Sequence, residues 1–424
     1  ILTGTFSLFS WNPPAYATQY KFQLSVDSSF NTIAINTDSI LSTQQYISGL
    51  LTGNTYFWRV IAFNICNDST TSEIRKFSVI TPNLISSLNL WLRADSGVVS
   101  DSTGKVSAWF DLSGNTFNAA QTNSAFQPSL IPAIPLLNNH PVIRFDGIDD
   151  ILFIDSTVTV GETFIIANWG GLSPFPSYNG LFSGQTSNAV FLALGSSTFL
   201  HTGGIVTTNV FLNSIQTLNF SPLDKYKIID GYNTPTQLNG VVIARERTVP
   251  GRLWNGDIAE IIVYDTILTS AQRNDVFNYL HFKYAPPVNL GPDISVNYGF
   301  CDTLLNASDR FISYLWPAGD TSSTISVAQN GVYSVTVTDV FGFTSSDTVN
   351  VIINTNPDQL VDTAFCAGDT LTLNAITNFM NYSFLWNTGN TNNTIKIFSE
   401  DTFFVKISDT LNCYWMSDTI VVKI

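Results

Sequence analysis

Residues 314–320 read YLWPAGD and residues 384–390 read FLWNTGN. Trp316 and Trp386 are 70 positions apart, and the match continues at that offset: Thr324-Ile325 falls on Thr394-Ile395, and Tyr333, Val335, Val337, Asp339 fall on Phe403, Val405, Ile407, Asp409. Each copy closes with Ser-Asp-Thr and an aliphatic run, Ser346 to Val349 and Ser417 to Ile420. A repeat of this length fixes the architecture of the C-terminal third before any other feature is weighed. Short runs of period-two alternation broken by turn residues predict strands, so each copy reads as a small β-sandwich with its tryptophan as core plug.

The composition extends this reading to the whole chain. Its 424 residues lead us to expect two to four domains. With 44% hydrophobic and 12% charged residues the chain is globular and not disordered. Only five of the 32 acids are Glu (Glu73, Glu162, Glu246, Glu260, Glu400), while Phe and Trp number 31 and 9. Helix formers are scarce and strand formers abundant, which predicts an all-β protein of tandem β-sandwiches. A net charge of −14 argues against nucleic acid as a partner. Apolar stretches such as Ile131 to Leu137 and Ile261 to Tyr264 fall short of the roughly 20 residues that span a bilayer. The chain begins at Ile1 with no leader pattern and reads as a fragment.

Prolines at Thr81-Pro82-Asn83, Ala285-Pro286-Pro287 and Asn354-Thr355-Asn356-Pro357 interrupt the strand pattern and mark linkers. They predict domains at 1–82, 83–286, 287–354 and 355–424. The first contains Trp11, Tyr20, Phe22 and Leu24, then LLTGNTY at 50–56 and Phe57-Trp58-Arg59-Val60. It resembles a fibronectin type III module with a clipped first strand, in which the family's tyrosine corner falls on Tyr56 and Thr52 replaces the proline. The block 83–286 contains LWLRAD (90–95), WFDLSGN (109–115), PVIRFDGIDD (141–150) and GDIAEIIVYD (256–265). It closes on a capping box, Thr269-Ser270-Ala271-Gln272, followed by Val276 and Leu280 on one helical face. These stretches, in this order, resemble a concanavalin A-like (laminin G-type) jelly roll. The two repeats resemble the immunoglobulin-like modules of large secreted surface proteins of Bacteroidota. That last resemblance implies a Cys366–Cys413 disulfide in the second repeat, whereas the first has Phe343 where a partner for Cys301 belongs. Cys301 and Cys66 are expected to stay unpaired.

Catalytic chemistry is poorly supplied. Jelly-roll glucanases carry Glu-x-Asp-x-x-Glu on one strand, but here no two Glu are closer than Glu246 and Glu260. Nucleophile elbows and phosphate loops are missing, and His140 and His281 read as packing or surface residues. Asp111, Asp146, Asp149 and Asp150, with Asn115, offer the hard oxygens that calcium takes. They equally suit strand ends bonded to their own turns, and this second reading weighs more. In the loop WGGLSPFPSYNG (169–180), Trp169, Phe175 and Tyr178 would stack on sugar faces if exposed, or fold back onto the sheet. Asp followed by Ser or Thr and then Ala, Ile, Leu, Val, Met or Thr begins at eleven of the 27 Asp, and resembles the O-glycosylation signal of Bacteroidota; Thr363 and Thr410 are the expected acceptors.

The resemblances imply a non-enzymatic segment of a secreted or cell-surface adhesin. Its jelly roll would bind a glycan or a cell-surface or matrix ligand, with type IX secretion as export route; calcium, the one cofactor considered, enters only through the aspartates named above. The alternative is the accessory carbohydrate-binding region of a modular glycoside hydrolase or other enzyme.

Overall fold

The computed structural model describes residues 6–14, 16–186, 189–201, 209–296, 303–353, 361–375, 382–408 and 414–424. The protein is all-β with several separate sheets, and among the described residues Ser270–Tyr284 (α1) is the α-helix. Two compact units emerge. One holds Ile1–Val288 with the short segments Asp309–Ser313 and Val337–Ser345, and the other holds the remainder.

In the N-terminal part of the first unit, Ile33–Ile40, Gln19–Ser25 and Thr55–Phe63 are consecutive antiparallel neighbours, and Phe6–Ser10 pairs with Gln44–Ser48. Phe9, Trp11, Phe22, Leu24 and Val60 are buried between them. The Tyr56 hydroxyl accepts a hydrogen bond from the Leu51 amide at 3.0 Å, so the corner predicted at Tyr56 is formed.

The rest of this unit is built on a 14-stranded sheet. Its centre comprises Leu88–Arg93 (β1), His140–Asp146 (β2), Leu152–Ala167 (β3), Lys227–Ile243 (β4) and Asn255–Tyr264 (β5). β5 pairs with β1, β2 and β3, and β3 pairs with β4. Alternation assigns the faces. Ile165, Ala167, Ile261 and Val263 enter a core with Trp109, Trp169 and Trp254, whereas Phe164, Ile166, Ile262 and Tyr264 meet the helix through Val276, Tyr279 and Leu280. Because both faces are covered, β5 is buried along nearly its whole length. The capping box starts α1 as predicted, with the Gln272 amide on Thr269 Oγ1 and the Thr269 amide on Gln272 Oε1.

The repeats are copied bond by bond. Trp316 and Trp386 are each 1% exposed, and each indole N–H donates at 2.9 Å to a carbonyl six residues on, Ser322 and Asn392. Their backbones close the same turn through Gly319 and Gly389, whose φ values of +84° and +83° favour glycine. Thr303–Asn306 pairs with Thr324–Val327 as Leu371–Asn374 pairs with Thr394–Ile397. In both copies the opening strand runs parallel to the closing one, Ile294–Val296 on Thr344–Ile353 and Thr363–Ala364 on Ile420–Lys423. Removing either plug empties a core that holds little else of that size. Trp316→Ala and Trp386→Ala should therefore each destabilise their own module by about 3–5 kcal/mol. The readout is a lowered denaturation midpoint of that module's transition.

Candidate functional site

The predicted site residues are scattered. Asp111 stands apart from the Asp146 turn and is corrected to a structural role. Its Oδ1 accepts from the Trp91 and Ser113 amides, both at 2.9 Å, and its Oδ2 from Ser113 Oγ at 2.8 Å and the Phe117 amide at 3.0 Å. Four donors consume both oxygens, and the loop after Trp109 is tied to β1. Asn115 donates to the Asn89 carbonyl at 3.0 Å and belongs to the same tie. Asp146, Asp149 and Asp150 do converge, with one oxygen of each within 4.8 Å of the others.

Two of the three loop aromatics are also corrected. Trp169 is 2% exposed and Phe175 fully buried, with ring centroids 5.1 Å apart; Trp254 lies 5.1 Å from Trp169. The indole N–H donates to the Leu172 carbonyl at 2.9 Å, closing the loop over its own ring. Large rings gain more from leaving water than a stiff loop gains by displaying them. Tyr178 alone of the three stays at the surface, 39% exposed, 5.1 Å from the Arg252 guanidinium. It is firmly placed. The neighbouring Asn179 side chain donates to the Leu253 carbonyl at 2.6 Å, and Gly180 sits where a Cβ would come within 2.0 Å of the Glu246 amide nitrogen. Glu246, 3% exposed, receives Arg252 and Arg247.

Thr363 is half-buried as the first residue of a strand, not in an open linker as expected, because its backbone pairs with Val422. Thr410 lies outside the described residues. So does Cys413, and with it the bridge expected to Cys366. Among the described residues Cys66 and Cys366 are exposed free thiols.

Sequence reasoning missed the buried charges. Glu260, fully buried, accepts from Trp91 Nε1 at 2.6 Å, Lys283 Nζ at 2.6 Å and the Tyr284 hydroxyl at 2.8 Å. Glu162, equally buried, binds Arg273 through both oxygens at 2.6 and 3.0 Å and the Leu268 amide at 2.8 Å. Asp257 takes Arg144 at 2.7 and 2.9 Å and the Tyr226 hydroxyl at 2.6 Å. At Asp95 burial opposes the charge, but hydrogen bonds from His140 and Arg93 and the Lys283 charge outweigh it and hold the carboxyl well below its usual range. His281 donates through Nε2 to the Asp339 carboxylate at 2.6 Å, among Phe277, Phe341 and Phe343. The signal was available in the sequence: glutamates are rare in this chain, and Glu162 and Glu260 interrupt apolar strands.

Asp230 and Glu162, on the same sheet face, would supply the two carboxyls of a hydrolytic pair, but both are buried beneath α1, Asp230 at 5% exposure. Burial raises its pKa far above the ordinary 3.8, and the Glu162 charge adds to the rise. A cleft of about 240 Å³ lies between Gly53, Val79, Leu84 and the helix residues Asp275 and Val276. It is smaller than the roughly 300–1,000 Å³ usual for ligand pockets. No helix among the described residues is long and apolar enough to cross a membrane.

No family model matches this chain, and no curated protein matches it. Solved structures align weakly. A Bacteroides ovatus mixed-linkage glucan utilization locus protein, SGBP-B, in complex with a mixed-linkage heptasaccharide, is 15% identical over 31% of this chain and 42% of its own, with a TM-score of 0.13. This chain thus aligns with less than half of that protein. The human desmocollin-1 ectodomain is 11% identical over 95% and 92%, and the insect immune protein hemolin 9% over 100% and 96%, both at a TM-score of 0.17. Scores this low carry no argument about function.

The buried acid pair yields a pH prediction. Because burial and the Glu162 charge raise the folded-state pKa of Asp230, with the Arg273 guanidinium 3.4 Å away opposing them, the group's contribution to stability is full below the unfolded value of 3.8 and is lost as pH rises through the raised folded value. Asp230→Asn keeps a donor and removes the charge. It should raise the melting temperature over wild type at pH 8 and change it little at pH 3, as measured by thermal melts at the two pH values.

Proposed function

We propose that this chain is a non-catalytic binding segment of a secreted or cell-surface protein, in which the central sheet offers its Tyr178 edge to a glycan and the flanking modules act as spacers. One observation carries the reading. Tyr178 presents a ring at the surface over Arg252, and the Glu246 carboxylate beneath fixes that guanidinium. A ring held by a rigid backbone contacts a sugar face at small entropic cost. Glu162 and Glu260 of the sheet and Glu246 in the turn after it support this reading because each is buried and paired with an arginine or lysine. An extracellular location and export by the type IX route, implied by the resemblance to Bacteroidota surface modules, belong to the same reading.

Glycan-array binding by the whole chain tests it, with Tyr178→Ala as the control. Loss of one stacking ring, worth about 1.5 kcal/mol, should weaken binding by about tenfold. An array without a bound glycan, or one whose hits are indifferent to Tyr178→Ala, would remove the proposal.

A further inference from the structure

The turn after β2 holds three carboxylates whose contacts do not balance. Asp146 is committed to the turn itself, since its Oδ1 accepts from the amides of Ile148 at 2.8 Å and Asp149 at 3.2 Å. Asp149 joins through its backbone. Asp150 is 3% exposed, and its Oδ2 accepts from the Asp146 amide at 3.1 Å. Its Oδ1 is buried with no hydrogen-bond donor. The nearest cation, Lys105 Nζ, stands 3.8 Å away and donates instead to the Gln127 carbonyl at 2.8 Å. A buried carboxylate oxygen left this way is costly, and proteins resolve the cost with a proton, a donor or a metal.

Charge and spacing favour the metal. Three carboxylates against the single ammonium of Lys105 leave two negative charges, the complement of a divalent cation. Ligands on opposite sides of an ion with bonds of about 2.4 Å stand about 4.8 Å apart, and one oxygen from each of the three acids lies within 4.8 Å of the others. The loop's own hydrogen bonds already hold the backbone in place.

We propose that the Asp146–Asp150 turn is a binding site for a hard divalent cation of calcium's size, with Asp146, Asp149 and Asp150 as its carboxylate ligands. Backbone carbonyls and water would complete the six to eight oxygens calcium takes. The site is independent of the Tyr178 edge and stands or falls separately from it.

Calorimetric titration of the chelator-treated whole chain with calcium chloride is the test, run beside Asp149→Asn and Asp150→Asn. The expected result is saturable uptake by wild type, weakened at least about tenfold in Asp149→Asn, because a charged ligand is lost. Asp150→Asn should lose uptake yet melt in chelator no lower than wild type, which separates ligation from misfolding. No uptake at millimolar calcium, or uptake unchanged in both variants, would overturn the proposal.

Discussion

The first unit depends on two glutamates that have no water. Glu162 on β3 and Glu260 on β5 lie on the helix-facing side of adjacent strands, each fully buried. Stripping a carboxylate of water costs several kcal/mol, and only a well-placed cation with further hydrogen bonds compensates. Both cations come from the same helix. Arg273 near the start of α1 binds Glu162, and Lys283 near its end binds Glu260. Ten residues of helix rise about 15 Å, so α1 is fixed at two points and cannot slide or roll without stranding a charge. Its apolar residues would pack against many registers of the sheet, whereas the two ion pairs admit one. Tyr284, Tyr279 and Trp91 complete the Lys283 end, with the ammonium 4.7 Å from the Tyr284 ring centroid.

The repeats hold themselves together by other means. Their order comes from an indole closed onto the carbonyl six residues ahead and from a glycine turn that recurs with nearly the same φ. The same geometry from YLWPAGD and FLWNTGN shows which positions matter: the tryptophan, the glycine and the Asp or Asn after it. Asp320 and Asn390 each accept from the amide two residues on, at 2.7 and 2.8 Å. Proline and alanine in one copy stand against asparagine and threonine in the other at the turn's exposed positions, where the Asn387 side chain donates to the Thr402 carbonyl at 2.9 Å, a bond that Pro317 cannot make.

Much of the fold was legible because it is local. Period-two alternation, the Tyr56 corner, the capping box at Thr269 and the 70-residue offset each need only a few neighbouring residues. The candidate site was legible in part, since the convergence of Asp146, Asp149 and Asp150 follows from a tight turn. What was not legible depends on distant partners. The role of Asp111 is set by Trp91, and the direction of Trp169 and Phe175 by Trp254 and Phe220, which lie far along the chain. Glu162 and Arg273 are 111 residues apart. Glycine, proline and serine around an aromatic describe a stiff loop equally well whether its rings face in or out.

These observations divide the charges of the first unit, with the paired glutamates of the sheet in its interior, where they fix geometry. That division rests on the buried pairs holding α1 in register. Amide hydrogen exchange of α1 in a double-mutant cycle of Lys283→Met and Glu260→Gln measures it directly. Each single change should lower the opening free energy of the helix by about 3–5 kcal/mol, and the double variant by clearly less than the sum, because neither group is then left alone in the dry interior. Single changes that leave α1 exchange as in wild type, or costs that simply add, would contradict the account.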